Sequence, residues 1–386
     1  MKDRASPSPR AASAPAAPPS LGAWAYDAIL AGAVALLVMA VLIPSEAAIS
    51  DGTFAPLAAA WCVLLVAWSL VVWLQREPLP RPTPTEWAGL ALVAWHTLAA
   101  VVSLGSGNGR QTLSAAWLLI GYALAVFLLR RCLRSPAQVR GLVAALLWLA
   151  TLAAALGLFQ YFYSMPLRRA QYAADPERAL AEAGISTEAG SPQRELFENR
   201  LQSVEPLGPF ALTNSLAGFL APWLIASVAL LVAAWSRRPP LRTWIGWLAA
   251  ALTIGTCLVL TKSRTAYLAA LVGVALVALY GRPGSRTWRP GWRVLTAAGG
   301  AAVLLALLGV LLGGLDAKVL SEAPKSVLYR VQYWQATSAL IARQPLFGCG
   351  PGNFQQAYTA YKLPEASESV ADPHNFLLEM WATAGT

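Results

Sequence analysis

Nine stretches of this chain read as apolar runs close to the thickness of a membrane: roughly 24–43, 54–74, 87–104, 112–129, 139–160, 209–235, 243–261, 265–280 and 294–315. A helix needs about 20 residues to cross the hydrocarbon. Within it, backbone polar groups are satisfied only in a helix or a closed barrel. The runs are rich in Leu, Ala, Val and Trp and lack period-two alternation, which excludes the barrel. The expected fold is all-α, a polytopic helical bundle. A tenth run opens near 375 and is cut at Thr386. Only 12% of the residues are charged, about half the share in soluble domains.

The formal net charge of +10 raises nucleic acid as a partner, but its distribution argues otherwise. With the N-terminus in the cytoplasm, 16 Lys and Arg fall in cytoplasmic segments, whereas the three short outer connections hold only Arg110, Lys262 and Arg264. That is the positive-inside pattern of a membrane protein, so no nucleic-acid partner is expected. Two long segments, 161–208 and 316–374, then face outward, where acidic residues offset their cations. The expected organisation is a disordered cytoplasmic tail (1–23), helices 1–5 (24–160), an outer loop (161–208), helices 6–9 (209–315), a large outer loop (316–374) and the start of a further span (375–386). A helical stretch is expected around 176–183. The four cysteines form no Cys-x-x-Cys pair, so neither a disulfide framework nor a zinc site is indicated.

A chain this sparing with polar residues concentrates its chemistry where it places them. Gly208-Pro209-Phe210-Ala211-Leu212-Thr213-Asn214-Ser215 is unusually polar for the start of a span, and irregular backbone at that depth needs shelter from protein or a water-filled cavity. Lys262-Ser263-Arg264 is a tight outer turn between two spans. Arg264 there reads either as a snorkelling interface cation or, with Lys262 and Ser263, as an anion cradle. Apolar and aromatic residues at near-helical spacing over 326–341 predict an amphipathic helix, with Arg330, Tyr333 and Trp334 at neighbouring angles. Arg330 is a surface cation or a bidentate diphosphate ligand. His374 follows an Asp372-Pro373 turn and suits a general base, or serves a structural role. Asn375 suits a helix cap. His96, within a span, reads as a buried histidine bonded by a neighbouring helix. The Gly348-x-Gly350-x-Gly352 pattern lacks the Lys-Ser/Thr of a phosphate loop and reads as a tight turn.

Together these residues resemble the O-antigen ligase and polymerase superfamily of bacterial membrane glycosyltransferases. The likeness runs from about Gly208 to the end. It rests on Gly-Pro-Phe-x-x-x-Asn at 208–214, Ser263-Arg264-Thr265, Arg330 ahead of Trp334, Pro345-Leu346-Phe347-Gly348-x-Gly350-x-Gly352-Asn353-Phe354, and His374-Asn375-x-x-Leu378-Glu379. The resemblance implies about twelve helices with a large periplasmic loop in the bacterial inner membrane. It implies transfer of a glycan from an undecaprenyl-diphosphate carrier to an acceptor hydroxyl without metal or cofactor. The acceptor is lipid A-core, growing glycan or protein. It also implies that Arg264 and Arg330 bind diphosphate and that His374 acts on the acceptor, with Lys262, Ser263, Asn214, Tyr333 and Asn375 around the substrates. Thr265 stands where many relatives have Gly, and the sequence reads as part of a longer protein. A repeat polymerase or protein O-oligosaccharyltransferase of the same superfamily is the nearest alternative. A transporter is disfavoured, because its spans would carry more ionisable residues than Asp27 and His96.

Overall fold

The structure, a computed structural model, describes residues 21–43, 54–79, 81–186, 188, 190–237, 239–280, 323–366 and 370–385. The expected tail up to residue 20, the run at 294–315 and the segment 316–322 lie outside the described residues. Those described are helical, without strands. In chain order they form α1 (Leu21–Leu42), α2 (Ala55–Leu74), α3 (Pro84–Ser103), α4 (Gly109–Cys132) and α5 (Pro136–Phe159). A π-helical turn (Gln160–Ser164) leads into α6 (Met165–Ala174), α7 (Pro176–Glu182) and α8 (Pro192–Gln202). Then come α9 (Thr213–Arg237), α10 (Leu241–Leu260), α11 (Arg264–Tyr280), α12 (Ala323–Arg343), α13 (Phe354–Tyr358) and α14 (Phe376–Ala384).

Short signals set where the helices start. Thr83-Pro-Thr-Glu86 and Ser135-Pro-Ala-Gln138 both form capping boxes, with proline in the first turn where its missing N–H costs nothing. Asn108 caps α4 by accepting from Gln111 N. Seven of the described helical runs are long and apolar enough to cross a membrane. They turn large side chains outward: Trp73 is 73% exposed and Leu152 66%. A face of that kind is stable against lipid and not against water. The chain is a multi-pass membrane protein. One expectation shifts in detail. The fifth span does not stop at 160 but continues through the π-turn as one helical run, Pro136–Ala174. The helix expected over 265–280 forms as α11, at 17 residues.

Two apolar clusters hold the bundle. The first joins α1, α2 and α4 through Tyr26, Ile29, Leu57, Trp61, Trp68 and Leu128. The second packs the later half of α5 on the start of α9, the later half of α10 and the start of α11, and alanines dominate it: Ala150, Ala153, Ala154, Ala217, Ala221, Ala250, Ala266 and Ala270. Small side chains let helix backbones approach closely, which in lipid replaces the missing hydrophobic drive between helices.

Polar contacts identify one end of the bundle. Glu86 pairs with Arg131 at 3.0 Å and Arg130 at 3.6 Å, and Glu77 with Arg134 at 2.8 Å. Tyr26 donates to Glu77, the Arg134 guanidinium lies 3.3 Å from the Tyr26 ring centroid, and Gln138 donates to Asp27. These bonds gather the starts of α1, α3 and α5 with the ends of α2 and α4, so neighbouring helices run antiparallel. The opposite end therefore carries the α3–α4 turn, the end of α5, the loop before α9 and the α10–α11 turn.

Candidate active site

The C-terminal segment docks on that second end. The last carbonyls of α14 have no partner within the helix, and the Gly348–Gly350 turn supplies donors. Cys349 N donates to Ala382 O (2.9 Å), Gly350 N to Thr383 O (3.0 Å), and Trp95 Nε1 on α3 to Ala384 O (2.9 Å). Phe347 stacks on Trp95, with ring centroids 5.3 Å apart. Asn353 then locks the segment to the α3–α4 turn. Its buried amide donates to Thr112 Oγ1 (2.9 Å) and Cys349 O (3.2 Å) and accepts from Asn108 N (3.0 Å). The three-glycine pattern is thus a turn, and its contacts are with protein. Burial in it pushes the Cys349 thiol up to about 11, which makes it unreactive.

On this platform α12 and the 370–375 loop come together. Trp334 Nε1 donates to Pro373 O at 3.0 Å, and the Tyr333 ring meets the His374 ring edge-on at 6.0 Å. Tyr333 is buried in a cluster with Ala336, Leu340 and Tyr358, so it buttresses His374 from behind. Asp372 Oδ1 accepts twice from His374, from the backbone N at 2.7 Å and from Nδ1 at 3.1 Å. The bond assigns the proton to Nδ1 and the lone pair to Nε2. It also holds the Asp372 carboxyl below the usual carboxylate range, against the opposing effect of burial. His374 has φ of +51° and a side chain 49% exposed. Asn375 is the helix cap the sequence suggests, accepting from Leu377 N and Leu378 N. Arg330 lies one turn before Trp334, half-buried, and makes no hydrogen bond or ion pair with any described residue.

A second group of expected site residues lies on the α10–α11 turn. Lys262 adopts φ of +54°, Ser263 is buried, and Arg264 is the first residue of α11. Arg264 is half-buried and, like Arg330, unneutralised by any described carboxylate. Tyr267 secures the turn by donating to Val259 O. The polar stretch ahead of α9 lies beside it: Glu205 is within electrostatic reach of the Tyr267 hydroxyl. That stretch is held by Gln160 of the π-turn, whose amide accepts from Leu207 N (3.2 Å) and Gly208 N (2.7 Å) and donates to Gly208 O (2.9 Å). Asn214, the second residue of α9, is exposed.

The structure brings His374, Tyr333 and Asn375 together where α12 meets the start of α14, and Arg330 lies on α12 one turn before Trp334. Lys262, Ser263, Arg264 and Asn214 sit on the α9–α11 group at the same end of the bundle. Two neighbours of the expected site residues escape a sequence reading. Gln160 acts on a residue 48 positions away, which no local pattern encodes. Asp372 was legible only as a turn residue, although its spacing of two from His374 is the signature of a side chain folding back on the following backbone. His96 is buried as expected, but its Nδ1 has no partner among the described residues.

Residues 249–386 match the family model described as O-antigen ligase, which bears out the resemblance to that superfamily over the C-terminal third. The matched region contains every expected site residue except Asn214. No curated protein and no solved structure matches the chain.

Proposed function

We propose that this protein moves a glycan from an undecaprenyl-diphosphate carrier to an acceptor hydroxyl at the outer face of the bacterial inner membrane, as an O-antigen ligase. The observation that carries this reading is that two half-buried arginines, with no carboxylate partner among the described residues, and a histidine backed by a carboxylate lie on segments at the same end of the bundle.

The chemistry needs those three groups. Breaking the bond between the sugar's anomeric carbon and the diphosphate leaves negative charge on the diphosphate oxygens. Arg264 and Arg330 offer planar forks to that charge, and at the membrane boundary each contact is stronger than in water. The acceptor oxygen bonds to the anomeric carbon as the diphosphate departs, and its proton passes to His374 Nε2. Asp372 steadies the imidazolium through Nδ1, the role a carboxylate plays behind other catalytic histidines. In this reading Lys262 and Ser263 complete the anion cradle, and Asn214, exposed at the start of α9, is available to the sugar. The carrier supplies the activation, so the reaction draws on no nucleotide.

The test is reconstitution of the full-length protein in nanodiscs with undecaprenyl-diphosphate-linked glycan and lipid A-core. Transfer of intact glycan to the core, with release of undecaprenyl diphosphate, supports the ligase. Elongation of the carrier-linked glycan itself would replace it with the polymerase.

A further inference from the structure

The segment between α5 and α9 carries a cleft that none of the roles above uses. It has a volume of about 520 Å³ and is lined by Arg169 and Tyr172 from α6 and by Glu198, Leu201 and Gln202 from α8. Its walls are ordered by their own bonds. Arg169 donates to Leu201 O at 2.6 Å and Ser203 O at 2.7 Å, clamping the end of α8. Tyr172 donates to Glu198, which also pairs with Arg194 at 2.7 Å, and Phe197 meets the Tyr172 ring edge-on at 5.9 Å. Arg194 holds the Glu198 carboxyl below the usual range, so the groove carries fixed charge.

This lining has a specific chemical complement. A volume of a few hundred cubic ångströms is that of a small-molecule site, about 300–1,000 Å³. An aromatic ring offers a flat apolar face with a polar tip, which suits the C–H face of a pyranose. Guanidinium, carboxylate and carboxamide are planar groups with paired donors or acceptors, which suit adjacent ring hydroxyls. A lipid tail would find too many fixed charges here. The groove is also linked through the following chain to the turn that carries Arg264. Ser203 donates to Glu205 at 2.7 Å, Glu205 is in electrostatic reach of Tyr267 behind the Arg264 turn, and Gln160 grips Leu207 and Gly208.

We propose that the groove between α6 and α8 is a saccharide subsite that holds sugar residues beyond the one being transferred. The inference rests on the glycosyl-transfer reading for its meaning, but its test does not. The probe is the oligosaccharide released by mild acid from the host's own carrier-linked glycan, added to full-length protein in nanodiscs and read by saturation-transfer NMR. Wild type should give ring-proton signals. Gln202→Trp, which fills the groove without touching the Arg169, Tyr172 or Glu198 bonds, should abolish them, and Tyr172→Phe, which keeps the ring, should retain most of them. Signals unchanged in Gln202→Trp, or absent from wild type, would overturn the subsite. Kinetics then identify the source of the sugar. A KM raised tenfold or more for carrier-linked glycan alone marks the donor, and the same rise for lipid A-core alone marks the acceptor. Equal loss toward both, with a lowered unfolding temperature, means a collapsed loop and overturns the proposal. A wild-type protein that binds the oligosaccharide yet transfers nothing would refute the enzyme reading and leave the subsite standing.

Discussion

At the scale of single residues, the proposed mechanism separates charge stabilisation from proton transfer, and each can be removed alone. Arg264→Ala and Arg330→Ala should each cost about 2–4 kcal/mol of transition-state stabilisation, the size seen when one preorganised donor is lost. Lysine at either position should restore only part, because it lacks the planar fork. Initial rates on purified, inserted protein decide this, and near-normal rates in both alanine variants would remove the diphosphate role. His374→Ala should lower kcat by about 10²–10⁴-fold with little change in donor KM, since a base acts in the transition state. A His374→Gln variant within a few-fold of wild type would reduce His374 to a positioning residue. The pH dependence separates the dyad's two members. Asp372's carboxyl is depressed in the folded protein. Its bond therefore contributes to stability above the unfolded value of about 3.9 and is lost as pH falls through the lower native value. A fall in rate at pH values above that carboxyl range consequently belongs to the imidazole taking up its proton. In Asp372→Asn that fall should move to lower pH, because the imidazolium loses its counter-charge.

At the scale of elements, the C-terminal turn shows how close approach, more than backbone freedom, decides what a position tolerates. Gly184 and Gly348 both have positive φ, +68° and +61°. A β-carbon at Gly184 would meet nothing within 4 Å, whereas one at Gly348 would lie 2.4 Å from Ala382 O on the backbone of α14. Gly184→Ala should therefore cost only the left-handed penalty, roughly 1–2 kcal/mol. Gly348→Ala should cost distinctly more, because the turn must leave α14 and give up the bonds that close its end. Thermal unfolding of the two variants in one detergent ranks them, and equal losses would show that α14 does not rest on the turn. The amphipathic pattern of α12 and the Asn375 cap were both legible in sequence, since each lies within one or two helical turns, and the capping boxes that the structure shows at Thr83 and Ser135 are equally local. The extension of α5 to Ala174 was not: Gln160 ends the apolar run, but a helix can continue where the loop before α9 satisfies that side chain.

At the scale of the whole molecule, the topology is the test that reaches furthest. Single cysteines at Gln356 and Arg81, in a background lacking the four native ones, should be labelled from opposite sides of the membrane. In spheroplasts an impermeant thiol reagent should reach position 356 and spare 81. The reverse pattern would invert the bundle and place the candidate site in the cytoplasm. Hydrophobic length and cation placement were enough to establish, from sequence, an all-helical membrane bundle and the polar segments worth suspecting, because lipid imposes its constraint on each span separately. The order of motifs from Gly208 onward carried the family resemblance. Tertiary structure alone decided which of those segments meet. Asn353 ties the C-terminal segment to the α3–α4 turn, Gln160 pins the loop before α9, and Tyr333 is a buttress within the core. Such contacts join residues tens to hundreds of positions apart, and their geometry follows from helix packing that a pattern of residue types does not encode.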